Sequence, residues 1–241
     1  MIDQQKLYSI WVYLQAEPLF WLTLTIGSYI ISDSIYRRTN LFPLLNPVAI
    51  SVLLVSLILI SFDIKYERYF EGAKFIHFLL GPVTVALAIP IYRKWHLIIL
   101  NSKAIFISLI IGSVFAILVT YILSIQFEIQ KELILSLLPR SVTAPIAMGI
   151  SEIIGGIPSL TAIITIITGV IGASLGVFVF DLIKLKKMEA RGFSLGLASH
   201  GIGTARAMSR DKNAGVFAAV GMGLSGLTTS ILVPLFLKIV M

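Results

Sequence analysis

Cysteine is absent from the 241 residues, so neither disulfides nor thiolate metal sites are available, and redox compartment is left undetermined. Charge is scarce as well: 13% of residues are charged against 57% apolar, with a mean hydropathy of +0.96. A soluble domain of this size cannot hide that much apolar surface. No nucleophile elbow, phosphate loop, pair of catalytic carboxylates or metal-ligand spacing is present. The expectation is therefore a protein that is not an enzyme and has no cofactor, metal or catalytic residue. No acidic pair falls within an apolar stretch, which argues against a cation pump built on two carboxylates.

What is there is membrane material. The windows 104–125, 157–180 and 214–237 contain no charged residue, and each is long enough for a ~30 Å hydrocarbon core. The net charge of +7 would suggest nucleic acid in a soluble protein. Here the basic residues gather in short loops between apolar segments, the positive-inside pattern, so no nucleic acid is expected. Residues 1–17 read as an interfacial segment with Trp11 and Tyr13 at headgroup level, and 18–241 as one polytopic membrane domain. No cleavable signal is expected, since Asp3 lies near the start and no small-residue cleavage site follows a short apolar core. Further spans are expected at about 18–31, 48–62 and 75–92, the last interrupted by Gly81-Pro82 and Pro90, with a loop at 63–74.

Charge then orders the topology. Arg37 and Arg38, then Arg93, Lys94 and Lys103, then Lys184, Lys186, Lys187 and Arg191 are all placed in the cytoplasm, and both termini outside. Two broken segments, one apolar and one polar, do not fit as crossings. The first, 132–151, is broken at Pro139-Arg140-Ser141 and Pro145; the second, 192–210, holds four glycines, three serines, Thr204, His200 and two arginines. Irregular backbone at membrane depth survives only where protein wraps it or a cavity borders it. The fold class expected is an all-α integral membrane protein with about six transmembrane helices and two opposed re-entrant segments, as in transporters. Eight full crossings is the alternative, and it violates the charge bias. Residues 83–91 align with 142–150, matching at Val83/Val142, Thr84/Thr143, Ala88/Ala147 and Ile91/Ile150, a faint sign of internal duplication.

The chemistry-bearing residues lie in the two breaks. Arg140 is a guanidinium inside an apolar region, suited to a carboxylate, and Ser141, Thr143 and Pro145 break the helix around it. His200 is set among glycines, with Gly201, Gly203 and Thr204 beside it, as a substrate donor or proton carrier. Glu152 is the other proton-coupling candidate. Arg206 and Thr84 are secondary candidates, and Arg206 also suits a cytoplasmic boundary. Gly169, Gly172, Ala173 and Gly176 form a small-residue ridge for helix packing.

LLGPVTVALAIPIYRKW (79–95), LLPRSVTAPIAMGISEIIGGIPSLTA (137–162) and ARGFSLGLASHGIGTARAM (190–208) resemble the LrgB/CidB family over most of 40–241. At Arg140 the chain looks nearer to the CidB and plastid branch. The resemblance implies a small-monocarboxylate carrier of the glycolate, glycerate and pyruvate class in the cytoplasmic membrane, and a small LrgA/CidA-type holin-like partner. It leaves a homo-oligomer open. The alternative it implies is an antiholin-like regulator of murein hydrolase activity and cell lysis.

Overall fold

The computed structural model describes residues 13, 14, 16–39, 45–86 and 88–240. Every regular element among them is a helix. Packing separates two compact units, residues 1–86 and 87–241. Most of the expected interfacial segment 1–17, Trp11 included, lies outside the described residues.

The first unit comprises α1 Pro18–Arg38, α2 Pro47–Ser61 and α3 Tyr66–Ala86. Proline opens α1 and α2, where its missing N–H costs nothing, and the Asn46 carboxamide caps α2 by accepting from Val48 N at 2.9 Å. α1 packs on both neighbours. Ser51 donates to Ser32 across the α1–α2 contact at 3.2 Å, while Gly72 of α3 abuts the Pro18 carbonyl and Trp21. Two expectations change here. α1 runs on to Arg38 rather than ending near Ile31, and the loop expected at 63–74 shrinks because α3 begins at Tyr66. The charges of Glu67, Arg68, Glu71 and Lys74 mark a solvated helical face; Lys74 and Glu71 form an ion pair one turn apart. Nor does Gly81-Pro82 break the chain, since α3 continues through Pro82 to Ala86.

The second unit opens with two short helices, α4 Ala88–Arg93 and α5 Trp95–Leu100. Then follow α6 Ser102–Gln126, α7 Lys131–Leu137, α8 Ala144–Ile154, α9 Pro158–Leu182, α10 Met188–Arg210 and α11 Lys212–Val240. Among the described residues, α6, α9 and α11 are long and apolar enough to cross a bilayer, at 25, 25 and 29 residues. They differ in what surrounds them. In the most apolar 18-residue window, 61% of α11 is buried against 28% for each of α6 and α9. α11 is therefore the spine of the unit. Its first half packs on α10, through Phe193 with Val216, Phe217 and Val220; its second half meets the α7–α8 region, through Val233 with Leu138, Val142 and Ala147.

Candidate functional site

Both polar breaks fold as hairpins. In α10 the regular helix fails at Ser199 (φ −130°, ψ 15°) and His200 (φ 42°, ψ −130°). A continuous helix would hold Met188 and Arg210 ~33 Å apart at 1.5 Å per residue. Instead the two line one cavity, and Gly203 lies directly against the Leu195 carbonyl. The chain reverses at Ser199–His200, giving limbs 188–198 and 201–210.

Glycine makes the reversal fit. A Cβ on Gly192 or Gly196 would stand 2.0 or 1.9 Å from the carbonyl oxygen of Ala214 or Ala218 on α11. On α9, a Cβ at Gly172 would meet Ser199 Oγ at 2.0 Å, and one at Gly169 the His200 ring at 2.6 Å. The ridge expected to serve helix packing thus receives the hairpin tip. Gly169 is near the middle of α9, and Gly112, pressed by Leu197, near the middle of α6. The tip therefore ends at mid-height of two bilayer-length helices.

His200 is 5% exposed, and its Nε2 lies 2.9 Å from the Thr165 carbonyl oxygen. A carbonyl only accepts, so Nε2 carries the proton and donates it. Positive φ at a β-carbon-bearing residue is strained and survives only where surrounding contacts enforce it. Here the Thr165 bond and the Gly169 notch do so. Thr204 donates to the His200 carbonyl at 2.8 Å and approaches Met222 Sδ, as does Gly201. The hydroxyls of Ser199 and Thr165 are fully buried without a hydrogen-bond partner.

The first hairpin is built differently. α7 enters, 138–143 runs on without helix, and α8 returns to end on Gly155, whose φ of 84° is the left-handed cap that glycine accepts. Hydroxyls tie its base. Ser136 Oγ accepts from Ile157 N at 2.8 Å, and Thr161 Oγ1 lies 3.0 Å from the Ser136 carbonyl and 2.8 Å from Ser151 Oγ. Arg140 is half-buried, and its Nε donates to Thr120 Oγ1 of α6 at 3.1 Å. Ser141 and Thr143 are half-buried, Thr143 at the N-terminal cap position of α8; Pro145 and Glu152 are exposed.

α11 relates the two hairpins. Gly226, at its middle, abuts Ile146 in the first turn of α8, and Met222 one turn earlier meets Gly201 and Thr204. The expected residues nevertheless sit on different helices. Arg140 is bound to α6 and His200 to α9, and no hydrogen bond joins Arg140, Ser141 or Thr143 to His200, Gly201 or Thr204. Gly203 serves the fold of its own hairpin rather than an open surface. Arg206 is 6% exposed and lies at the hairpin base, away from the tip. Thr84 lies in α3 with its side chain outside the described ones. Sequence reasoning missed Thr165 and Thr120. Thr165 had a signal, because Thr161, Thr165 and Gly169 recur every four residues along one stripe of an apolar helix.

Comparison with known proteins gives the chain its family. The model of the LrgB-like family matches residues 25–239. The holin-like protein CidB of Staphylococcus epidermidis (strain ATCC 35984) is 34% identical over 225 residues, which is 93% of this chain and 97% of the relative. Its counterpart in Staphylococcus aureus (strain Mu50) is 32% identical over the same shares. A Bacillus subtilis (strain 168) protein, YxaC, named as uncharacterized, is 34% identical over 214 residues, 89% of this chain and 93% of its own. No solved structure matches the chain.

Proposed function

The chain belongs to the LrgB-like family of membrane proteins, and from that premise we propose that it is a carrier for a small monocarboxylate in the cytoplasmic membrane. The observation that supports this reading most is the meeting of the two hairpin tips with α11, about one helical turn apart near its middle. Re-entrant segments converging at mid-membrane are the arrangement by which secondary transporters expose a site alternately to either side. Each tip also leads into a helix, α8 or the second limb of α10, whose N-terminal amides face the same level and favour an anion. Arg140 has one guanidinium nitrogen on Thr120, and no carboxylate among the described residues pairs with it, which leaves its fork for a carboxylate.

The topology belonging to this proposal has six crossings, three supplied by residues 18–100 and three by α6, α9 and α11. The first hairpin enters from outside and the second from the cytoplasm. Single cysteines at 187 and 212 then label from the cytoplasmic face, against a native chain with none. Exclusive labelling of position 187 from outside overturns the orientation.

The Staphylococcus relatives are named holin-like, and beside that name stands a second reading, a regulator that works with a holin-like membrane partner and moves no substrate. Uptake of labelled glycolate, glycerate and pyruvate into proteoliposomes, with and without an LrgA/CidA-type protein, separates the two. Saturable uptake of any of the three supports the carrier. Absence of uptake in both preparations, with a partner-dependent effect on lysis, supports the regulator.

A further inference from the structure

A cavity of about 410 Å³ lies between the first turns of α6 and α10, remote from the tip of the second hairpin. Its floor is apolar: Ile105, Phe193 and Phe217 line it, all buried and packed in one cluster. Its polar lining includes Ser108 of α6 and, at the entry to α10, Lys187 and Glu189. These two carry opposite charges on one rim, yet no ion pair joins them to each other or to any other described residue.

The level of the cavity limits what can reach it. α6 is bilayer-length, and its uncharged stretch begins at Ala104, just after Lys103. Ser108 lies ~9 Å along that helix from Ser102, and the headgroup layer on each side of the hydrocarbon core is ~5–8 Å deep. The cavity therefore runs from headgroup level to the first carbons of the acyl chains. It also opens onto lipid. Ser108 is exposed, and beside it Phe106 and Ile107 are 65% and 56% exposed, an apolar surface that suits acyl chains rather than water.

A ligand that fits is amphiphilic and carries a negative and a positive group close together. Glu189 is what discriminates. An anionic headgroup attracted by Lys187 would also meet the Glu189 carboxylate, which repels it, whereas a headgroup with both charges pairs with both. A primary ammonium donates N–H bonds to the carboxylate; a trimethylated one has no N–H to give. We propose that this cavity seats the headgroup of an aminophospholipid, its phosphate on Lys187 and its primary ammonium on Glu189. The glycerol and the first chain carbons lie over Ile105, Phe193 and Phe217. The lipid then bridges α6 and the first limb of the hairpin. The site is separate from the hairpin tips and stands whether or not they carry a substrate.

Native mass spectrometry of the full chain in uncharged detergent tests this, by titration with phosphatidylethanolamine, phosphatidylcholine or phosphatidylglycerol. Phosphatidylethanolamine is expected to bind about tenfold more tightly than either of the others, the size of one charge-assisted bond. Glu189→Gln removes that preference, while Glu189→Asp, which keeps the charge, retains most of it, so the loss is not one of folding. Lys187→Gln weakens all three lipids, since each carries the phosphate. Ser108→Trp, at an exposed position, fills the cavity and abolishes the preference. Lys238→Gln, at the far end of α11, leaves it intact. Three results overturn the proposal: no binding of phosphatidylethanolamine, phosphatidylglycerol or phosphatidylcholine bound as tightly, or an equal preference in the native, Glu189→Gln and Ser108→Trp chains.

Discussion

The two hairpins solve one problem by different means. The first is tied at its base by hydroxyls, with Thr161 reaching both Ser136 and Ser151. The second has few such bonds and is seated by shape, its glycines pressed against the backbone of α11 and its tip against glycines of α9. Hydrogen bonds between membrane helices are worth about 1 kcal/mol each, so the first hairpin should fail gradually. Backbone contact has no room to give, so the second should fail abruptly.

The largest expected effect is at Gly196. Gly196→Leu drives a side chain into the Ala218 carbonyl and should cost about 3 kcal/mol or prevent folding, read as lost monodisperse yield and a lowered unfolding midpoint in detergent. Two glycines on α11 sharpen the point. Gly221→Ala meets the Phe193 carbonyl at 2.6 Å and should destabilise, whereas Gly223→Ala meets nothing within 4 Å and should stabilise by about 0.5 kcal/mol. Equal effects at 221 and 223 would sink the claim that shape seats this hairpin.

Thr161→Val comes next, for the first hairpin. It keeps the volume but removes the hydroxyl shared by Ser136 and Ser151, and should cost about 1–2 kcal/mol in thermal unfolding without loss of folding. Arg140→Lys is expected to leave stability nearly unchanged and to weaken uptake markedly, because an ammonium cannot reproduce the guanidinium fork. Normal uptake by Arg140→Gln moves the anion site elsewhere. His200→Gln should shift stability by under about 1 kcal/mol, since the carboxamide still offers a donor to the Thr165 carbonyl. If His200 carries the coupled proton, the variant keeps exchange and loses uptake driven by a pH gradient; an unchanged pH profile leaves Glu152 as the candidate.

Composition and charge alone determined that this chain is a helical membrane protein, that three of its helices are bilayer-length, and that 139–145 and 192–210 break the pattern. Those features are legible because solvation acts residue by residue: uncharged stretches need lipid or burial, and clustered Gly, Pro and Ser disfavour continuous helix. The small-residue ridge on α9 was visible for the same reason. Tertiary structure alone decided where the reversal falls, at Ser199–His200, and what each polar group touches. Thr120 as the partner of Arg140 and Thr165 as the partner of His200 join residues 20 and 35 positions apart. Such pairings depend on which helices lie side by side, and local preference carries no record of that. The same limit explains α3: charges at 67–74 resemble a loop when read in order, but packing of Gly72 on Trp21 makes them the outer face of a helix.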